Sequence, residues 1–212
     1  DYGGAVNSRG QILIDSCTFE NNSAGLGGAI LLDTDSGSGE VSNSVFSANS
    51  AQDATAWDEP FTDLASPAGG AIADMGDTLS ITNAVLWRNS ATSSAALYAS
   101  AYSSTIRVIN TVLSENTADD GVLASSDTAF SYCVFEEALD GEGNIAADPL
   151  LVDPDGDDFR LQPGSPCIDA ADGDVAPTSD FVGNARVDDP SVVNTGHGSI
   201  DYADIGAFEF QP

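Results

Sequence analysis

Trp57, Asp58, Glu59 and Phe61 fall within the five-residue stretch WDEPF, and Trp87 with Arg88 follows on a later repeat of the chain. Aromatic faces flanked by carboxylates and a guanidinium are a chemistry for sugars: the C–H faces of a pyranose pack on indole while its hydroxyls bond to the charged groups. Arg107, Tyr98 and Tyr102 extend the same groove. The competing reading has this stretch folding back to bury Trp57 and Phe61 over a sheet. Hydrolysis of a glycoside needs two carboxylates at a set separation, and in a chain with 34 acids such pairs arise by chance. A lyase acting on an anionic sugar needs a base and neutralising cations, but there are only five arginines, no lysine and one histidine. The net charge of −29 repels uronic acids unless calcium bridges them. His197, in NTGHGSID, has no Ser or Cys nucleophile pattern beside it and reads as a surface-loop or packing histidine.

Calcium is the cofactor these acids suggest. Asp153, Asp155, Asp157 and Asp158 in DPDGDDF alternate around a glycine and offer hard oxygen ligands. The loop is not an EF-hand, since its twelfth position is Gly164 rather than Glu. Asp169, Asp172, Asp174 and Asp180 form a second such cluster. For both, solvated turn acids are the alternative.

The elements that position these groups come from an internal repeat. SCTFENNSA, SNSVFSANSA, TNAVLWRNSA and INTVLSENTA align without gaps on Phe19, Phe46, Leu86 and Leu113, and a degenerate SYCVFEEA adds Phe135. A second motif, GGAV or GGAI, starts at Gly3, Gly27 and Gly69 and decays to SAAL and DGVL, with spacings of 24, 42, 25 and 26 residues. Ile14, Val41, Ile81, Val108 and Phe130 form another apolar column, and Ala24, Ala51, Ala91 and Ala118 a small one. Asparagines align as Asn22, Asn49, Asn89 and Asn116, and again as Asn43, Asn83 and Asn110. Asparagine tolerates the left-handed conformation, and its amide bonds to the copies above and below.

A period near 25 residues is too short for a propeller blade, which takes about 40 to 45, and fits one turn of a parallel β-helix. The 212 residues are 42% hydrophobic, enough for a core, and rich in Asp, Asn, Gly, Ser and Thr, which favours turns and short strands over helices. The expectation is an all-β, right-handed single-stranded parallel β-helix. It has about five turns over residues 1–147, an insertion at 52–67, and a C-terminal cap at 148–212 covering the last turn. Asp1 begins directly on a GGAV motif, which points to a cut from a longer solenoid, to processing, or to end-to-end self-association through the N-terminal turn. The acidity argues against nucleic acid as a partner, and no apolar run approaches the roughly 18 residues that span a bilayer.

The GGAI motif paired with FENN and FSAN resembles the repeats of chlamydial polymorphic outer-membrane proteins and of many bacterial surface β-helix proteins, over residues 1–137. The tail GEGNIAADPLLVDPDGDDFRLQPGSPCIDAADG, followed by DFVGNARVDD and DIGAFEF, is similar to the C-terminal region of secreted β-helix proteins of the choice-of-anchor Q type. The resemblance implies export, and a place in a longer chain tied to the cell surface. Two departures from the pattern stand out: the insertion AQDATAWDEPFTDLASP, and DVAPTSDFVGN in place of a shorter turn. Cys17 and Cys133 share a column four turns apart, about 19 Å at a strand spacing near 4.8 Å, too far to bond. An export address permits a Cys133–Cys167 bridge, leaving Cys17 a buried thiol; three small core residues are the equal alternative.

The function expected is a non-catalytic extracellular or cell-surface module, adhesin-like or glycan-binding, with polysaccharide or surface glycan as partner. The alternatives are a polysaccharide-degrading enzyme on a β-helix scaffold and a filament-forming structural protein.

Overall fold

The computed structural model describes residues 2–33, 38–52, 67–76, 78–100 and 104–212. Four parallel sheets of four, five, six and four short strands run along the repeat region, with successive turns contributing neighbouring strands. The first contains Val6–Ser8, Ile30–Leu32, Ile72–Asp74 and Leu97–Ala99; the second Ile12–Asp15, Ser38–Ser42, Thr78–Thr82, Thr105–Ile109 and Thr128–Ser131. The third contains Thr18–Glu20, Val45–Ser47, Val85–Trp87, Val112–Ser114, Val134–Phe135 and Ile145–Ala146, and the fourth Ser23–Ala24, Ser50–Ala51, Ser90–Ala91 and Thr117–Ala118. This is a parallel β-helix.

Register follows the sequence columns residue for residue. Phe19 pairs with Phe46, Phe46 with Leu86 and Leu86 with Leu113. Ile14, Val41, Ile81, Val108 and Phe130 stack in the second sheet, and the alanines stack in the fourth. Both apolar columns face the interior, where Phe19 and Phe46 lie with ring centroids 4.8 Å apart and planes within 7°. One lone turn buries too little to fix its own backbone, so stacking must supply the rest.

The two asparagine columns have separate roles. Asn43, Asn83 and Asn110 take the left-handed conformation at the corner between the second and third sheets, with φ of 44°, 50° and 53°. Asn22, Asn49, Asn89 and Asn116 form a continuous amide ladder, while in the corner column Asn110 Nδ2 donates to Asn83 Oδ1 at 3.0 Å. In the ladder each Nδ2 donates to the Oδ1 of the next asparagine at 2.9, 2.9 and 3.0 Å. The left-handed residue at that corner is the one before each ladder asparagine: Asn21, Ala48, Arg88 and Glu115.

The GGA motif also has a backbone cause. Gly27 and Gly69 have positive φ, while a Cβ on Gly28 would come within 2.0 Å of the Gly70 carbonyl oxygen. The first glycine supplies a conformation, the second an absence of volume.

The C-terminal region departs from expectation. It was expected to cover the last turn, but its packing lies along the flank. The outward residues Val45, Val85, Val112 and Val134 of the third sheet share a cluster with Leu151, Phe159, Ile168, Ala203 and Ile205. The corner asparagines fasten it: Asn83 Nδ2 donates to the carbonyls of Asp204 and Gly206, Asn110 Nδ2 to that of Asp172, and Asn43 Nδ2 to that of Ser179. The physical reason is that the third sheet is apolar on both faces from its second turn onward, so an uncovered flank would leave a valine stripe in water.

The same wall corrects the cysteine reading. Cys133 sits in the interior cluster and Cys167 in the flank cluster, on opposite sides of the third sheet, and all three cysteines are free. Burial pushes both thiols up to about 12. Cys17 is exposed at the edge of the first turn rather than buried.

Candidate functional site

Trp57, Asp58, Glu59, Phe61 and Tyr102 lie outside the described residues. Trp87 does not present a face to a sugar, which corrects the groove reading. Its side chain points away from the solenoid interior but is only 7% exposed, because Phe159 packs edge-on against the indole at 6.4 Å. Arg88 lies over that indole at 5.2 Å and bonds to Glu115 and Asp155, so its guanidinium is engaged by two carboxylates. Those two hydrogen bonds hold its pKa above the ordinary arginine value. Arg107 and Tyr98 belong to different sheets and do not extend one groove.

The DPDGDDF acids lie on a tight hairpin. Leu151–Asp153 pairs antiparallel with Asp158–Leu161 across a 3-10 turn at Pro154–Gly156, and Asp157 closes that turn in the left-handed conformation. Arg88 takes Asp155 and Arg160 takes Asp158, whose carboxyl is thereby held below the ordinary range. The four carboxylates do not converge. Among the described residues, the set of three metal-capable side chains whose ligand atoms lie within 4.8 Å of one another is Asp172, Asp174 and His197.

The second acidic cluster divides in two. Asp172 and Asp174 are near the surface, whereas Asp169 and Asp180 are buried in a network with Asp189, Asp204, Glu209 and Arg186. Asp204 accepts from the backbone N–H of Asp169 at 2.8 Å and of Phe210 at 2.6 Å; Asp180 accepts from Val182, Asn184 and Glu209. Glu209 accepts from Val187 N and from Arg186 Nη1, both at 2.8 Å. Burial, then the charge of Glu209, pushes Asp204 up to about 8; burial pushes Asp169 to about 6 and raises Glu209 against the pull of Arg186. These carboxylates replace regular secondary structure as partners for the tail backbone. Sequence reasoning passed over this role for Asp204 and Glu209, although acids set among Ala, Ile and Phe in YADIGAFEF were the available sign.

The surface of the tail also carries an open pocket of about 610 Å³. Phe159, Phe208 and Phe210 line it, with Arg160, Asp157 and Gln211 among its polar groups. Phe181 braces Phe208 at a centroid distance of 5.0 Å. Volume and lining suit a small organic ligand such as a sugar ring.

Residues 16–33 match the Chlamydia polymorphic membrane protein (Chlamydia_PMP) repeat. That segment holds Phe19, Asn22 and the Gly27–Ile30 corner, the parts that recur along the stack. No curated protein and no solved structure gives a significant match. Among the described residues, no helix is long and apolar enough to cross a membrane.

Proposed function

We propose that the chain is a non-catalytic, surface-displayed β-helix module that binds glycan. The observation that carries this reading is the match of residues 16–33 to a membrane-protein repeat, because the same inward columns recur in register through the rest of the solenoid. A rigid stack of this kind displays loops and a flank at fixed spacing, which suits adhesion. The open pocket lined by Phe208 and Phe210 is the contact favoured for sugar, and the insertion bearing Trp57, Asp58, Glu59 and Phe61 is the second. Calcium belongs to the proposal as a counter-ion to the net charge of −29.

The test is incubation of the purified chain, with calcium, against neutral and anionic polysaccharides, scoring retention and release of shortened products. Retention without shortened products is expected, weakened by Phe210→Ala with Arg160→Ala, or by Trp57→Ala. Shortened products would overturn the reading in favour of a degrading enzyme; no retention would favour a structural protein. A melting temperature unchanged by chelation would remove calcium.

A further inference from the structure

We propose that Asp172, Asp174 and His197 form a binding site for a divalent first-row transition-metal ion, with Zn2+ as its simplest occupant. The proposal stands apart from glycan binding and uses none of the acids of the DPDGDDF hairpin.

His197 Nδ1 lies 3.2 Å from Asp172 Oδ1, and the three ligand atoms fall within 4.8 Å of one another. That contact is a hydrogen bond between imidazole and carboxylate, and a zinc ion would take the place of the shared proton: two ligands at about 2.1 Å from the ion, subtending about 100°, are about 3.2 Å apart, so the pair would need little movement. One imidazole with two carboxylates selects zinc-like ions; a calcium site would be built from oxygen alone.

The ligands come from two irregular segments of the tail held against each other. Asp172 and His197 form a parallel bridge, with His197 N donating to Ala171 O and Gly173 N to His197 O, both at 2.9 Å. Asp172 is also clamped to the solenoid, since Asn110 Oδ1 accepts from its N–H at 2.7 Å and Asn110 Nδ2 donates to its carbonyl at 2.9 Å. Asp174 Oδ1 accepts from the N–H and hydroxyl of Ser199, which leaves Oδ2 without a protein donor among the described residues. Two glycines permit this approach: a Cβ on Gly198 would meet the Asp174 carboxyl at 2.5 Å, and one on Gly173 would meet the Ile200 carbonyl oxygen at 1.8 Å.

The solenoid side adds to the field. Glu142 accepts from the Tyr132 hydroxyl at 3.3 Å, and the Tyr132 ring lies 6.0 Å from the imidazole. A bound ion would therefore join the loops at 172–174 and 197–199 to each other, beside the corner asparagine Asn110 that holds Asp172.

His197 is the single histidine of the chain, so its imidazole is an unambiguous reporter. The experiment titrates Zn2+ into the full chain carrying Cys17→Ser, which removes the exposed thiol, and follows binding by calorimetry and the histidine ring by NMR. One saturable site is expected, with the imidazole resonances shifted at saturation and the melting temperature raised. His197→Ala and Asp172→Asn should each weaken binding at least tenfold, and Asp157→Asn should leave it unchanged. Zinc bound with equal affinity by His197→Ala, an imidazole that does not respond, or no saturable binding at millimolar zinc would each overturn the site.

Discussion

Replacing Asn89 with alanine removes a side chain that makes four hydrogen bonds inside the solenoid. Its Oδ1 accepts from Asn49 N at 3.1 Å and Asn49 Nδ2 at 2.9 Å; its Nδ2 donates to Phe46 O at 2.9 Å and Asn116 Oδ1 at 3.0 Å. Asn49 Nδ2 retains Phe19 O, Asn116 Oδ1 retains Asn89 N and the Phe46 carbonyl retains its ladder partner on the next strand, but the Asn49 N–H loses its partner in a fully buried place. The orphaned N–H costs about 1–3 kcal/mol and each of the other three lost hydrogen bonds about 0.5–1.5 kcal/mol, so Asn89→Ala is expected to cost about 2.5–7.5 kcal/mol, a large part of the usual stability of a domain. Asn22 tests the reasoning from the ladder's end. Its half-buried amide makes one bond to Asn49 Oδ1, which keeps the Asn22 N–H, and Asn22→Ala is expected to cost about 1 kcal/mol. Urea unfolding followed by far-ultraviolet circular dichroism measures both. Equal costs for the two variants, or an Asn89→Ala stability within 1 kcal/mol of the parent, would refute the ladder as a source of stability.

Val112→Asp places a charge beneath the tail, where Val112 is fully buried, and should destabilise the protein by about 3 kcal/mol or more and open residues 148–212 to limited proteolysis; Thr18→Asp, at the exposed start of the same outward column, should change stability by less than about 0.5 kcal/mol. Gly28→Ala drives a Cβ into the Gly70 carbonyl and should cost about 3 kcal/mol or more by thermal denaturation, whereas Gly10→Ala meets nothing and should be near neutral. A thiol reagent should modify Cys17 alone in the native chain and all three cysteines after denaturation; a second native label would contradict the placement of Cys133 and Cys167. The carboxyls of Asp169 and Asp204, at about 6 and about 8, hold protons in the folded chain that the unfolded chain releases near pH 4, so the melting temperature should fall as pH rises from 4 to 8 and then level off. Asp204→Asn should flatten the upper half of that slope, and an unchanged profile would show that Asp204 ionises freely in the fold.

The solenoid was legible because each inward position repeats in a column, and a column of apolar residues has one arrangement that buries it. Phe19, Phe46, Leu86 and Leu113 specify register directly, since a slip of one residue would turn every one of them outward. The tail was illegible for the opposite reason: it has no repeat, and buried acids rather than strands hold its backbone. Its docking site was nevertheless written in the sequence. Next to the inward column stand Thr18, Val45, Val85, Val112 and Val134, a second apolar column on the outward face that begins one turn late. Trp87 was misread from the same oversight. An aromatic residue on the outside of a solenoid meets solvent only where nothing else covers that face, and here Phe159 does.

The corner asparagines explain why the tail docks where it does. A residue in the left-handed conformation turns the chain, and at Asn83 and Asn110, whose side chains also bond each other at 3.0 Å, the amides reach beyond the stack. Alanine or glycine would turn the corner too, but neither would offer an amide to Asp172, Asp204 or Gly206. The valine stripe supplies non-directional attraction, which fixes no position along the flank; the amides supply the position, one corner at a time. Because the flank cluster draws its members from both regions, the tail has no apolar core apart from the solenoid, and the third sheet has no dry outer face apart from the tail. The two regions are therefore expected to unfold together, and cutting the chain between them should destabilise both.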